Sequence, residues 1–100
     1  MKTVYISHPY TGNEIENRFD AQHVCAELKE AHPDWCLVNP IDNFLWADDF
    51  KLSYDTILGM CIELLRCCDA IYMCKDWDDS KGCCTEKMMA EAAGMEVIYE

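Results

Sequence analysis

Positive charge is scarce in this sequence. Eight Lys and Arg residues stand against 19 Asp and Glu residues, which gives a formal net charge of −11 at pH 7. The cations are also spread along the chain, so no basic patch is available to hold a phosphate backbone. This excludes a nucleic-acid polymer as the partner. A small anionic ligand remains compatible with the sequence, because backbone N–H groups at a helix start can bind one without basic side chains.

Long hydrophobic runs are absent as well. The N-terminus, Met-Lys-Thr-Val-Tyr-Ile-Ser-His, has no apolar stretch of the length that a signal peptide needs. No later segment approaches a membrane span, and no repeat or low-complexity segment occurs. The sequence therefore predicts a soluble, cytoplasmic protein with no membrane partner.

A Cys-x-x-Cys pair, the usual mark of a zinc site, is also missing, and His8, His23 and His32 lack the usual ligand spacing. We therefore expect no metal and no cofactor. Most of the cysteines fall in apolar periodic segments, where a reduced thiol behaves as a small core residue. The eight are Cys25, Cys36, Cys61, Cys67, Cys68, Cys74, Cys83 and Cys84.

Two vicinal cysteine pairs leave a redox protein open as a further alternative. They are Cys67-Cys68 and Cys83-Cys84. Cys83 lies close to the predicted start of a helix, a position that is expected to lower the pKa of its thiol. Vicinal disulfides are strained, so packing within helices is the preferred interpretation of both pairs.

The length of the chain favours one domain. One hundred residues is a common domain size, and a hydrophobic content of 51% supplies one core. Two domains would each be too small to fold alone. We therefore expect a single domain over residues 1–100.

Hydrophobic periodicity predicts strands that alternate with helices. Short apolar or β-rich runs predict strands over residues 3–7, 35–38, 69–74 and 95–99. Apolar residues at three- and four-residue steps predict helices over 14–31, from an N-cap at Ser53 toward Cys68, and from about Gly82 to a C-cap at Gly94. Residues 41–50 show no clean period and are interpreted as a long connection or lid with a helical turn.

This alternation indicates an α/β fold with a mostly parallel sheet and helices on both faces. Such sheets bind ligands at the carboxyl ends of their strands. Two loops meet that condition: residues 8–13 after the first strand and residues 75–82 after the third. The pattern predicts a pocket there without naming its chemistry.

Four stretches of the sequence resemble one known family. They are residues 2–12 (KTVYISHPYTG), 68–73 (CDAIYM), 77–86 (WDDSKGCCTE) and 93–99 (AGMEVIY). They are similar to the nucleoside 2-deoxyribosyltransferase-like superfamily, in its branch of small bacterial and phage proteins with domain of unknown function 4406. The related deoxynucleoside 5′-monophosphate N-glycosidases share the pattern. The resemblance implies a compact three-layer flavodoxin-like or Rossmann-like sandwich with a four- or five-stranded sheet.

The resemblance also implies a reaction. Glu86 matches a glutamate that attacks the anomeric carbon of the deoxyribose, and Tyr5 matches a strand tyrosine that orients this carboxylate. The reaction expected is hydrolysis or transfer at the N-glycosidic bond of a 2′-deoxynucleoside or its 5′-monophosphate. A carboxylate suits this chemistry, because cleavage of the bond develops oxocarbenium character on the sugar. Ser80 resembles the nucleotide N-glycosidases, which favours a 5′-monophosphate over a free nucleoside.

The remaining predicted site residues bind the substrate. His8 is a candidate contact to phosphate, and Trp77 is a candidate stacking surface for the base. The resemblance further implies a homodimer or higher homo-oligomer, in which a neighbouring subunit completes the site. The predicted substrate-binding residues are Ser7, His8, Gly12, Asp69, Trp77, Ser80 and Gly82.

Cys61 departs from the family pattern, because the family has an aspartate there that handles the leaving base. This departure favours an alternative function, a non-catalytic nucleotide-binding module that senses or sequesters a nucleotide or a nucleotide-derived signal. Without the resemblance, Glu86 on an exposed first helical turn would simply complement the helix dipole, and Ser80 would be a helix N-cap.

Overall fold

The computed structural model describes residues 1–100, in which strands and helices alternate. The strands are β1 (Lys2–Ser7), β2 (Trp35–Val38), β3 (Ala70–Met73) and β4 (Glu96–Tyr99). The helices are α1 (Glu14–Ala31), α2 (Pro40–Asn43), α3 (Leu45–Asp49), α4 (Tyr54–Arg66) and α5 (Lys81–Ala92), with a 3-10 helix over Trp77–Asp79. Every predicted strand and long helix is present, with small shifts at the ends. No helix combines the length and apolarity needed to cross a membrane.

The four strands form one sheet in the order β2-β1-β3-β4, and every pair is parallel. Val4 of β1 pairs with Leu37 of β2 on one side and with Ala70 of β3 on the other. The predicted α/β fold with a parallel sheet is confirmed, and the sheet has four strands. The central strands, β1 and β3, are the most buried, as their continuous apolar runs predict.

Helices cover both faces of the sheet, which gives three layers. Along β1, Val4 and Ile6 point to the face that packs against Val24 of α1. Tyr5 points to the other face, where it joins Leu65 of α4 and Ala90 of α5. This alternation follows from the two-residue period of a strand.

The connection between β2 and α4 contains two short helices. Pro40 begins α2, where its missing N–H would have no helical partner. Ala47 anchors α3 as the one buried residue of that helix, and Lys51 then takes a left-handed backbone with φ +57°. The predicted lid with a helical turn therefore has more helix than the sequence pattern indicated.

The strand order contains a topological switch. The chain moves from β1 to β2 on one side of the sheet and later from β3 to β4 on the opposite side. The loops that leave β1 and β3 therefore diverge, and a crevice opens between the carboxyl ends of these two strands.

Candidate active site

A cleft of about 1130 Å³ occupies this crevice. The loop after β1 forms one wall, α2 and α3 form the roof, and the starts of α4 and α5 complete the lining. Both loops predicted to form a pocket contribute, with His8 to Thr11 from the first loop and Asp76, Asp79 and Ser80 from the second.

Glu86 lies at the floor of the cleft, on the buried face of α5. It shares that face with Cys83 and Ala90, at the three- and four-residue steps of a helix. Its side chain is turned to the sheet, and the residue is only 7% exposed. This contradicts the simpler interpretation of Glu86 as an exposed carboxylate of the first helical turn.

Tyr5 and Ser7 hold the Glu86 carboxylate from the end of β1. Because they are two residues apart on a strand, both side chains point to the same face, toward α5. The Tyr5 hydroxyl donates to Oε2 of Glu86, and the Ser7 hydroxyl donates to Oε1 at 2.7 Å. Each carboxylate oxygen therefore has its own donor, and the carboxylate plane is fixed against the strand.

Burial and hydrogen bonding act on Glu86 in opposite directions. Burial raises the pKa of Glu86 above its ordinary value, while the hydrogen bonds from Tyr5 and Ser7 oppose that rise. The pKa of Tyr5 is raised as well, first by burial and then by the charge of Glu86. Tyr5 thus keeps its proton and remains a donor to the carboxylate.

Cys61 of α4 also lines the cleft, beside Tyr5 and Glu86. Burial and the charge of Glu86 raise the pKa of its thiol to about 11, against a smaller opposing effect of the Tyr5 hydroxyl. The thiol therefore stays protonated at neutral pH, and it is a weak acid. The side chain that α4 places next to Glu86 is therefore a half-buried thiol.

The start of α5 forms part of the cleft wall. Ser80 caps the helix, because its Oγ accepts the backbone N–H of Cys83 at 3.2 Å, and it lines the cleft as well. Gly82 also lines the cleft, and a Cβ at this position would lie 3.3 Å from the Tyr54 hydroxyl. Gly82 thus allows Tyr54 to pack close to the helix start.

The loop after β1 is more constrained than the sequence suggested. His8 lines the cleft, but its Nδ1 lies 2.6 Å from the Pro9 carbonyl oxygen and its Nε2 lies 2.6 Å from Asp20 Oδ2. Both ring nitrogens already contact oxygen atoms of the protein, and the phosphate contact of His8 stays a prediction. Gly12 lies at the exposed tip of the loop with φ +107° and does not line the cleft.

Asp69 and Trp77 lie outside the cleft, as Gly12 does, and Ser7 is fully buried beneath it. Asp69 precedes β3, at the opposite end of the strand from the cleft, and its carboxylate accepts the Thr3 backbone N–H at 2.8 Å. Trp77 packs near Tyr99, with ring centroids 5.9 Å apart, and under Lys87 Nζ. Neither side chain lines the cleft, and their predicted contacts with a substrate stay predictions.

The sequence pattern did not identify three side chains that line the cleft, Tyr10, Asp48 and Tyr54. The Tyr10 hydroxyl donates to Asp48 at 2.9 Å, which joins the first loop to α3 across the cleft. Burial and this carboxylate raise the pKa of Tyr10 to about 12. For Tyr54 a signal existed, since it follows the predicted N-cap Ser53 and so lies at a helix start.

The predicted lowering of the pKa of Cys83 is wrong. Cys83 is buried, and burial raises the pKa of its thiol to about 11, the opposite of the predicted lowering. The helix start is present, but the effect of burial is larger. No three His, Cys, Asp or Glu side chains lie close enough together to hold a metal ion.

Comparison with known proteins agrees with the fold. A family model described as "Domain of unknown function (DUF4406)" matches residues 2–99. No curated protein matches the sequence. Among solved structures, the chain is similar to a 2-desoxiribosyltransferase from Leishmania mexicana, with a TM-score of 0.71 and 23% identity. The match covers 99% of this chain and 63% of that one, and at this identity it shows a shared fold.

Proposed function

Because the chain belongs to the DUF4406 family and has a deoxyribosyltransferase-like fold, we propose that it cleaves or transfers the N-glycosidic bond of a 2′-deoxynucleoside or its 5′-monophosphate. Glu86 is the nucleophile in this proposal. The observation that carries it is the carboxylate of Glu86 at the floor of the cleft, with Tyr5 and Ser7 each donating to one of its oxygens.

The chemistry follows from the position of that carboxylate. An oxygen of Glu86 attacks the anomeric carbon, the bond from this carbon to the base nitrogen breaks, and the bonding electrons leave with the base. Attack by water on the glycosyl-enzyme then gives hydrolysis, and attack by a second base gives transfer. The donors from β1 hold the carboxylate in place, so little reorganisation precedes the attack.

The burial of Glu86 supports a functional role over a structural one. A carboxylate that only complements a helix dipole gains most from the exposed first turn and has no reason to be desolvated. Glu86 instead is 7% exposed, and burial raises its pKa. Carboxyl groups with perturbed pKa values in clefts are frequently catalytic.

A ligand-binding module without turnover is the second candidate, and Cys61 favours it. A neutral base that leaves with the bonding electrons must gain a proton, and a thiol whose pKa is about 11 is a poor source of one. The two candidates share the cleft and the ligand class. They differ in one observable, the release of free base.

Chromatographic detection of free base therefore tests the proposal. The purified protein and its Glu86→Ala and Glu86→Gln variants are incubated with a panel of deoxynucleosides and their monophosphates. Release by the parent and loss by about 10³-fold or more in both variants is expected for a nucleophile. Saturable binding without release by the parent would establish the binding module instead.

A further inference from the structure

The cleft around Glu86 is strongly acidic. Five carboxylate side chains line it, against one lysine, Lys81. A hydrogen bond from the backbone N–H of Gly12 lowers the pKa of Glu14, so this carboxylate at the cleft wall is ionised at neutral pH. The five are Glu14, Asp48, Asp76, Asp79 and Glu86.

The positive groups at the cleft are too few, or already engaged, to hold a phosphate. His8 faces the carboxylate of Asp20 at 2.6 Å, so any charge on its ring is already balanced. Lys81 extends over the ring of Tyr54, with Nζ 5.9 Å from the centroid. The start of α5 adds about half a positive charge. These groups do not offset five carboxylates, and a 5′-phosphate would enter a negative field.

Few groups at the floor of the cleft can donate a proton to a leaving base. The hydroxyls of Tyr5 and Ser7 both donate to Glu86, so their protons are engaged. The thiol of Cys61 and the hydroxyl of Tyr54 are neighbouring groups that still carry a proton, and burial and the charge of Glu86 raise the pKa of both, so both are weak acids. A base that must be protonated as it leaves is therefore poorly served by this site.

Apolar and aromatic side chains above the floor suit a flat ring. Phe44 of the connection between α2 and α3 and Leu58 of α4 line the cleft, as do Tyr10 and Tyr54. Aromatic faces attract a delocalised cation as well as a neutral ring. The walls can therefore bind a positively charged heterocycle through its ring face, without a carboxylate in direct contact with the charge.

From these observations, and resting on the proposed function, we infer that the cleft takes N-glycosides whose base carries a fixed positive charge and whose sugar carries no phosphate. N7-alkylated purine and pyridinium nucleosides are examples of this chemical class. Acidic side chains attract the cation, and the absence of phosphate avoids repulsion. The inference is opposite to the 5′-monophosphate preference that the resemblance of Ser80 implied.

A cationic base also removes the need for an acid. When an oxygen of Glu86 bonds to the anomeric carbon, the electrons of the glycosidic bond pass to the positively charged ring nitrogen. The base leaves neutral, and no proton is transferred to it. Water then attacks the same carbon, the bond from this carbon to the Glu86 oxygen breaks, and the proton of the water passes to solvent. The free sugar is released and the Glu86 carboxylate is regenerated.

Binding of inert analogues to the parent protein tests this inference without turnover. The probes are carbocyclic 2′-deoxyguanosine, in which a methylene replaces the sugar ring oxygen, its N7-methylated cation and its 5′-monophosphate. At low salt we expect the cation to bind about tenfold more tightly than the neutral compound, and the monophosphate about tenfold more weakly. Both differences should shrink as salt is raised from about 20 to about 500 mM.

A charge variant with a matched control identifies the cause. In Asp76→Asn/Asp79→Asn, which removes two exposed carboxylates of the cleft, the preference for the cation should fall severalfold. Asparagine is well suited to residue 76, whose backbone is left-handed with φ +66°. Glu30→Gln/Asp34→Asn removes two exposed carboxylates away from the cleft and should leave the preference unchanged.

Three results would overturn the inference. In the first, the monophosphate binds to the parent as tightly as the neutral compound. In the second, Asp76→Asn/Asp79→Asn keeps the full preference for the cation. In the third, none of the three probes binds saturably to the parent. Failure of the proposed function is a separate result. It would appear as the expected binding order together with no release of base from N7-methyl-2′-deoxyguanosine above the protein-free rate.

Discussion

At the scale of single residues, Glu86 shows a balance between two opposing effects. Burial favours its protonated form, and the donors Tyr5 and Ser7 favour its ionised form. Burial is the larger of the two effects, so the pKa of Glu86 stays above its ordinary value in a place that solvent barely reaches. A carboxylate in this condition is poorly solvated and well oriented, which suits attack on a carbon that develops positive charge.

The first prediction concerns the pH dependence of stability. Burial raises the pKa of Glu86 above its ordinary value of 4.5, so the folded state keeps a proton that the unfolded state has already lost. The contribution of Glu86 to stability is therefore complete below pH 4.5 and is lost as pH rises through the raised pKa. Relative to Glu86→Gln, the free energy of unfolding of the parent should fall by up to about 1.4 kcal/mol per pH unit in that window.

Urea denaturation of both proteins from acid to neutral pH measures this difference. The same substitution on the exposed surface of α1, Glu30→Gln, is the control and should shift no part of the curve. Parallel pH profiles for the parent and Glu86→Gln would show that burial does not raise the pKa of Glu86.

The second prediction separates Tyr5 from an ordinary strand tyrosine. Tyr5→Phe removes a donor to a buried carboxylate and should cost about 2 kcal/mol of stability at neutral pH, with a smaller loss at acid pH. Tyr72→Phe is the matched control, because Tyr72 is a half-buried tyrosine of the neighbouring strand, and it should cost less than about 0.5 kcal/mol. Equal losses in thermal or urea unfolding would argue against a special role of the Tyr5 hydroxyl.

Some of the site was accessible from the sequence and some was not. The family resemblance implied the roles of Glu86 and Tyr5, and Ser7 and Ser80 were predicted to bind the substrate. The hydrogen bonds from Tyr5 and Ser7 to Glu86 join residues about 80 positions apart, and only the packing of α5 on β1 brings them together. Asp69 was misplaced, although it precedes β3 and ligands bind at the carboxyl ends of the strands in parallel sheets.

At the scale of elements, the start of α5 has two roles in this account. Ser80 accepts the backbone N–H of Cys83, which ties down the first turn of the helix that carries Glu86. Ser80 also lines the cleft. Ser53 caps α4 in the same way, because its Oγ accepts the backbone N–H of Thr56 at 3.1 Å. Unlike Ser80, Ser53 does not line the cleft.

The third prediction compares these two caps. Ser80→Ala and Ser53→Ala should each lower the free energy of unfolding by about 1 kcal/mol, because each leaves a helix N–H without its cap. Only Ser80→Ala should also weaken the binding of a nucleoside in calorimetric titration. If both variants bind the ligand equally well, Ser80 is a helix cap and no part of the ligand site.

The element that the sequence described least well is the connection from β2 to α4. Its two helices have four and five residues, which is too short for a hydrophobic period to emerge. Hydrogen bonds from distant parts of the chain hold these two helices in place. Asp42 receives hydrogen bonds from Arg18 and Gln22 of α1, and Asp48 receives one from Tyr10. A local pattern cannot report contacts of this kind.

At the scale of the whole molecule, the strand order positions the cleft. Strands β1 and β3 lie side by side at the centre, and the chain leaves them toward opposite edges of the sheet. This opens a crevice at their carboxyl ends. The sequence predicted the parallel sheet and the two loops, because alternating strands and helices leave few other topologies. The acidity of the cleft became visible only when the lining side chains were brought together.

The central claim is that the Glu86 carboxylate bonds to the anomeric carbon, and trapping that bond tests it most directly. A 2′-fluoro-arabinonucleoside carries an electronegative substituent that slows breakdown of a glycosyl-enzyme, so the adduct accumulates. After an acid quench and digestion, mass spectrometry should find the fluorinated sugar on the peptide that contains Glu86, and none in Glu86→Gln. Release of base without an adduct, or an adduct on another residue, would contradict the account.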